Sequence, residues 1–206
     1  MIDDLFAAEM EPSESRITIA MSDADVVYFP RLFNSAEADS LFEQLRQQVM
    51  WKQETITLYG QVHDLPRLTA WYGDPEKIYT YSAITAHPLE WIAPLLDIKY
   101  RIESVSGCSF NSVLLNRYRN GSDSVAWHSD DEYELGKNPA IGSVSFGEAR
   151  PFQMKHKFLD EKHKLLLEHG SCLLMKGTTQ HYWLHQIPKS KRVLGERINL
   201  TFRKII

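Results

Sequence analysis

His128, Ser129 and Asp130 form the only His-x-Asp tripeptide in the chain. On an extended segment, side chains two residues apart point to the same face, so this imidazole and carboxylate can address one ion. One further histidine would complete a two-histidine, one-carboxylate set that leaves coordination positions open for co-substrate and O2. The C-terminal third offers two, His181 and His185, within His181-Tyr182-Trp183-Leu184-His185-Gln186-Ile187-Pro188. A His-x-Asp on an ordinary surface turn and a zinc hydrolase site use the same residue types, so the tripeptide alone leaves the chemistry open.

Next comes Arg197-Ile198-Asn199-Leu200-Thr201-Phe202-Arg203. Its strict alternation describes a strand with one apolar face and one polar, cationic face. Two arginines on one face are solvated, or they bind an anion. Guanidinium groups hold carboxylates in a two-point fork, so a dicarboxylate suits the pair.

Such a site needs elements to carry it. With 206 residues, 43% hydrophobic and 24% charged, the chain fits one domain with a sizeable core. Residues 1–24 are polar and acidic and read as a poorly ordered tail. Val26-Val27-Tyr28-Phe29 reads as a strand ended by Pro30. Asn34 or Ser35 caps a helix whose apolar side is Leu41, Phe42, Leu45 and Val49. Pro88 is expected to open a second helix through Ile92, Leu95 and Leu96. Residues 52–82 alternate in short segments with turn signals at Tyr59-Gly60, Leu65-Pro66 and Gly73-Asp74-Pro75. From Asn111 on, strands are expected at 111–118, 125–129, 141–146, 151–155, 164–168, 171–175, 181–184 and 196–203. Two helices followed by many short strands predict an α+β, mainly β fold: a jelly roll supported by N-terminal helices. The expected domain is thus 25–206, with helices and recognition strands over 25–110 and a β core over 111–206.

Charge and cysteine content exclude some classes. The two cysteines, Cys108 and Cys172, cannot build a disulfide framework and lack zinc-ligand spacing, which predicts a reducing compartment: cytoplasm, or nucleus in a eukaryote. No apolar run approaches a membrane span. The formal net charge is -4, so any binding of phosphates must rely on local patches such as Lys155-His156-Lys157, Lys162-His163-Lys164 and Lys189-Ser190-Lys191-Arg192.

Asn116-Arg117-Tyr118, His128-x-Asp130, Trp183-x-His185-x-Ile187-Pro188 and Arg197-x-Asn199-Leu200-Thr201-Phe202-Arg203 follow one another in an order that resembles the AlkB family of Fe(II)/2-oxoglutarate dioxygenases. Pro66-Arg67-Leu68-Thr69-Ala70-Trp71-Tyr72-Gly73 is similar to a segment of its DNA-repair branch. The resemblance implies a double-stranded β-helix with Fe(II) on His128, Asp130 and His185. It leaves His181 to pack or hydrogen-bond nearby. It implies 2-oxoglutarate on Arg197 and Arg203, with Asn116, Tyr118, Asn199 and Thr201 completing the contacts, and O2 as second co-substrate. It implies oxidative demethylation of bases such as 1-methyladenine and 3-methylcytosine, releasing formaldehyde and succinate. Tyr72, Tyr79, Tyr81, Ser82 and Glu132 would line the base pocket, with Tyr81 and the His128 ring on its two faces. The expected partner is nucleic acid, DNA before RNA, acting on a monomer. An RNA demethylase, a protein hydroxylase and a non-catalytic cupin-like module are the alternatives. A non-catalytic module would be expected to have lost one of the ligands.

Overall fold

The computed structural model describes residues 16–206 except Tyr59, Lys77, Ile78, Ser82 and Ala83; the side chains of 58, 79–81 and 84–86 lie outside that description. The first half runs β1 (Ile17–Ile19), β2 (Asp25–Phe29), α1 (Ser35–Gln48), β3 (Thr55–Leu58), β4 (Gln61–Asp64), β5 (Leu68–Gly73), β6 (Tyr79–Tyr81), β7 (Ile84–Ala86) and α2 (Ala93–Ser106). The second half runs β8 (Ser112–Tyr118), β9 (Val125–His128), β10 (Ile141–Gly147), β11 (Arg150–His156), β12 (Lys162–Leu167), β13 (Ser171–Lys176), α3 (Thr179–Tyr182), β14 (Trp183–Ile187) and β15 (Arg197–Arg203).

Asn34 starts α1 through a capping box: its side chain accepts from the Glu37 amide, and the Glu37 carboxylate accepts from the Asn34 amide, both at 2.9 Å. The helix buries Ala38, Leu41 and Leu45. Helix α2 begins later than Pro88 suggested. Leu89 pairs with β5 instead, donating to Trp71 O and accepting from Gly73 N, so that stretch is extended. Pro94 occupies the first turn of α2, and Gly107 ends the helix in the left-handed region.

A seven-stranded antiparallel sheet, ordered β1-β2-β13-β10-β15-β8-β5, faces a four-stranded sheet ordered β12-β11-β14-β9. On β15, Ile198, Leu200 and Phe202 join the core beneath α1 and α2, with Leu41, Leu45, Leu95, Ile98 and Ile102. A second apolar cluster, including Tyr118, Leu173, Met175, Phe152, Met154 and Trp183, fills the space between the sheets. The architecture is the expected helix-supported jelly roll. Two further local expectations fail. Ile17–Ile19 lie in the stretch read as tail, yet they form an edge strand on β2, because their ladder partners supply the order that their composition does not. Residues 181–184 are not one strand: Thr179–Tyr182 make a helical turn, held by Thr179 Oγ1 donating to Lys176 O, and β14 starts at Trp183.

Among the described residues, no helix is long and apolar enough to cross a membrane. The seam between β10 and β15 demands glycine at one point. Gly147 sits opposite Arg197 with φ +84°, and a Cβ there would lie 2.3 Å from the Glu196 carbonyl oxygen. The left-handed backbone alone costs an ordinary residue about 1–2 kcal/mol. A change of about 1 kcal/mol moves the melting temperature of a domain this size by about 2–4 °C. Gly147→Ala should therefore lower Tm by about 4 °C or more in calorimetry, with the carbonyl clash adding to the backbone cost.

Candidate active site

His128 ends β9 and His185 lies in β14, and the register places them directly opposite each other. Their rings are 4.3 Å apart. Past His128 the chain leaves the sheet and brings Asp130 back to the pair. One ligand atom from each of His128, Asp130 and His185 lies within 4.8 Å of the others. His128 Nδ1 is 2.8 Å from the Ala126 carbonyl, which only accepts. That nitrogen carries the proton, and Nε2 presents its lone pair. His185 stacks on Phe152 with ring centroids 5.1 Å apart, and its buried Nδ1 has no partner. Its Nε2 stands 3.7 Å from Asp130 Oδ2, beyond hydrogen-bond reach but with space for an ion between them.

Electrostatics put these groups in ligand form. Burial, then the neighbouring His128, pushes His185 down to about 3, against the smaller opposing pull of Asp130. Burial by itself would raise Asp130, but the Arg203 guanidinium, then His185 and His128, outweigh it and hold the carboxyl below the usual carboxylate range. Arg203 donates through Nη2 to Asp130 Oδ1. Gln180 Oε1 accepts from the Asp130 amide at 3.0 Å. At neutral pH His185 is therefore a neutral imidazole and Asp130 a carboxylate, the protonation states that metal binding requires of them.

The inner face of the large sheet carries a row of polar groups among its apolar side chains. Asn199 pairs in register with Asn116 on one side and Ser145 on the other, and Asn116 pairs with Thr69. Most of these are committed to protein partners. Asn199 Nδ2 donates to Ser143 Oγ and the Val144 carbonyl, both at 2.9 Å, and Thr201 Oγ1 donates to Asn199 Oδ1. Asn116 Oδ1 accepts from Arg67 Nε at 2.7 Å. Arg197 is the exception. It is 1% exposed, its Nη2 donates to Ser145 Oγ at 3.0 Å, and its guanidinium lies 5.1 Å from the Tyr118 ring centre. Its Nε and Nη1 are buried without partners, as are Thr69 Oγ1 and Arg203 Nε. Burial pulls the Arg197 pKa down, although a guanidinium stays protonated in proteins. No carboxylate among the described residues pairs with Arg197. A buried, uncompensated cation costs several kcal/mol. Two unused donors on the strand whose Arg203 reaches Asp130 are therefore the complement of an anionic ligand.

The sequence matches the 2OG-Fe(II) oxygenase superfamily over residues 25–203. It is 47% identical over 186 residues to alpha-ketoglutarate-dependent dioxygenase alkB homolog 3 of Bos taurus, covering 85% of this chain and 64% of that protein. It is 41% identical to the DNA oxidative demethylase ALKBH2 of Mus musculus, covering 85% of this chain and 78% of that one. The chain belongs to the AlkB family. It spans about two thirds of the length of its alkB homolog 3 relatives, 64% for the bovine and 66% for the human protein. The solved structure of OsALKBH1 superposes with a TM-score of 0.64 over 87% of this chain and 96% of that one; at 15% identity it speaks for the fold alone. Membership in this family brings Fe(II), 2-oxoglutarate and O2. The donor set fits the ion: two imidazoles and a charged carboxylate offer ligand atoms within 4.8 Å of one another.

The remaining site expectations divide. Glu132 follows Asp130 by two residues, and its Oε2 is buried without a partner. His181 stays apart from the cluster, with Nε2 3.1 Å from Asn138 Oδ1. Tyr72 is a correction: it is 2% exposed in the core under the helices, and its hydroxyl accepts from the Met50 amide at 2.9 Å. Strand alternation sends Thr69 and Trp71 inward to the sandwich and Ala70 and Tyr72 to the helices, so Tyr72 cannot line a base pocket. The side chains of Tyr79 and Tyr81, and the whole of Ser82, lie outside the described residues. Sequence reasoning missed Ser143, Ser145, Phe152 and Gln180, and it read Lys157 only as part of a basic patch for phosphates, whereas its ammonium is bonded to Ser129, Asp131 and Gln180. Only strand register and chain reversal bring them to the site, and no spacing rule marks them.

The depressed His185 pKa has a pH signature. The unfolded chain binds a proton on this histidine near pH 6.5, whereas the folded metal-free protein resists doing so until about 3. Stability contributed by the neutral ring is thus present above pH 6.5 and lost as pH falls below it. In urea titrations of metal-free protein, unfolding free energy should fall by up to about 1.4 kcal/mol per pH unit across that window. The slope should flatten in His185→Gln; an equally steep slope in that variant would refute the assignment.

Proposed function

We propose that this chain removes N-methyl groups from alkylated nucleic-acid bases by Fe(II)- and 2-oxoglutarate-dependent oxidation. The observation that carries the reading is the buried Arg197 guanidinium, with two donors unpartnered, on the strand whose Arg203 reaches Asp130 of the His128–Asp130–His185 cluster. His128, Asp130 and His185 would hold the iron. With 2-oxoglutarate and O2, the bound metal supplies the oxidant that hydroxylates the N-methyl carbon, while the co-substrate leaves as succinate and CO2. The resulting N-hydroxymethyl group then sheds formaldehyde and restores the base.

This chain's own residues bind and orient. Arg197 would take the far carboxylate of 2-oxoglutarate through its free Nε and Nη1. Arg203, already on Asp130, retains an unpartnered Nε for the nearer one. Asn116, Tyr118, Asn199 and Thr201 would shape the polar floor beneath it. Glu132 Oε2 would accept from an exocyclic base amine, and its charge would favour cationic lesions such as 1-methyladenine and 3-methylcytosine. Tyr81 and the His128 ring would cover the two faces of a flipped or single-stranded base. The bovine relative's name supports the dioxygenase chemistry, and that of the murine relative, a DNA oxidative demethylase, supports a nucleic-acid substrate, with DNA the first expectation.

For phosphates, Lys189, Lys191 and Arg192 line a surface cleft with Asn120, Gly121 and Ser122. Lys164 stands exposed on β12. These give an acidic chain a local cationic surface, and we take it to act as a monomer. Cys108 and Cys172 are both free, in keeping with a reducing compartment.

The deciding experiment follows succinate and formaldehyde release with single- and double-stranded DNA and RNA oligomers, each carrying one methylated base. Lesion-dependent turnover, lost in Asp130→Ala, is expected. No turnover with any methylated base by iron-loaded protein would sink the reading, and turnover confined to RNA would move the substrate. Hydrogen bonds to charged groups contribute about 1.5–3 kcal/mol. Arg197→Ala should therefore raise the KM for 2-oxoglutarate by about 10- to 100-fold, and an unchanged KM would refute the anion assignment.

A further inference from the structure

Lys157 follows β11 immediately, and its ammonium uses all three of its donors. It donates to Ser129 Oγ at 3.1 Å, to Asp131 Oδ2 at 3.1 Å and to the Gln180 carbonyl at 3.0 Å. An exposed lysine ordinarily makes a loose ion pair of little consequence. This one is mostly covered, with 21% of its side chain exposed, and three fixed acceptors saturate its donor set. Its backbone is pinned as well, the Lys157 amide donating to the Tyr182 carbonyl at 2.7 Å.

The acceptors are placed in an informative way. Ser129 and Asp131 are the two sequence neighbours of Asp130, and Lys157 holds both. Gln180 holds Asp130 itself, its Oε1 accepting from the Asp130 amide. Gln180 belongs to α3, which Thr179 ties to β2 by accepting from the Asp25 amide at 3.0 Å. The segment 129–131 lies outside any strand, so no ladder fixes it. Asp130 also bonds Arg203 through Oδ1, while its Oδ2 stands 3.7 Å from His185 Nε2. Asp131 brings a second carboxylate next door, and its Oδ2 is occupied by Lys157.

We propose that Lys157, acting with Gln180, is a positioning residue for the metal site. It clamps the loop on both sides of Asp130, fixing that carboxylate toward His128 and His185 before the ion arrives, and it keeps the Asp131 carboxylate from competing. This rests on the metal reading of the cluster above. Residues that orient metal ligands typically shift affinity by about 10- to 100-fold when removed. Lysine suits the task because its ammonium is a compact charge whose three donors rotate to meet acceptors in different directions.

The test is Mn(II) binding to the full-length, metal-free protein, followed by loss of the free-ion EPR signal. Lys157→Met keeps the length of the side chain and deletes all three donors; it should weaken Mn(II) binding by about 10-fold or more. Lys157→Arg, which retains charge and donors, should recover a large part. Ser129→Ala removes one bond of the three and should weaken binding less, in the same direction. In turnover, Lys157→Met should raise the Fe(II) concentration needed for half-maximal rate more than it lowers kcat at saturating Fe(II). A merely structural lysine would give a lower Tm with unchanged metal affinity. Wild-type Mn(II) affinity in folded Lys157→Met overturns the clamp alone. Should that variant not fold, unchanged affinity in Ser129→Ala overturns it. A wild-type protein that takes up no Mn(II) sinks the metal reading and the clamp together.

Discussion

The structure is organised around charges withdrawn from water between two sheets. Asp130 is 2% exposed and remains ionised because Arg203 donates to it and the two imidazoles sit alongside. Arg197 is buried as deeply, yet its charge meets only a serine hydroxyl and the face of Tyr118. A second buried guanidinium, Arg150, lies over the same ring and donates to the carbonyls of Asn120, Asp123 and Pro188. Arg150 makes three bonds to carbonyl oxygens and leaves only Nε unpartnered, whereas Arg197 leaves both Nε and Nη1. The difference supports the proposal that Arg197 binds a ligand while Arg150 serves as scaffold, since uncompensated burial of charge opposes folding.

Tolerating that arrangement requires rigid support on the other side of the sheet. Each strand of the large sheet has two faces, and β15 shows the division most clearly. Ile198, Leu200 and Phe202 lock it against α1 and α2, while Arg197, Asn199, Thr201 and Arg203 stand in fixed positions inside the sandwich. The apolar face contributes the stability, and the polar face uses the resulting rigidity. The metal cluster depends on the same device. His128 and His185 are 57 positions apart and meet only because β9 and β14 pair in that register. Asp130 sits just off the end of a strand, where the ladder no longer acts, and there Lys157, just past β11, and Gln180 of α3 bond the segment around it.

How far the sequence could be read varied with the kind of information needed. The alternation in Arg197–Arg203, the capping at Asn34 and the His-x-Asp spacing are local patterns, and each has a local physical cause. Tyr72 was misassigned because its neighbours in sequence resemble a recognition segment, whereas the parity of β5 turns it toward Met50 and the helices. Pro88 looked like a helix start, but Leu89 is held in an isolated bridge to Tyr72, and Pro94 takes the role. The edge strand at Ile17–Ile19 has no pattern of its own and borrows its order from β2.

The sequence by itself determined the chemistry: which side chains could bind an ion, which could bind a dicarboxylate, and that they would ride on strands. It could do so because side-chain type and a period of two are properties of neighbouring residues. The tertiary structure alone decided which strand faces which, and hence that Ser145 and Tyr118 meet Arg197, that Arg203 reaches Asp130, and that Lys157 spans the ligand loop. Those contacts join residues between 26 and 79 positions apart. Register and chain reversal, set by burying one apolar face against the helices, fix such distances, and no short stretch of sequence contains them.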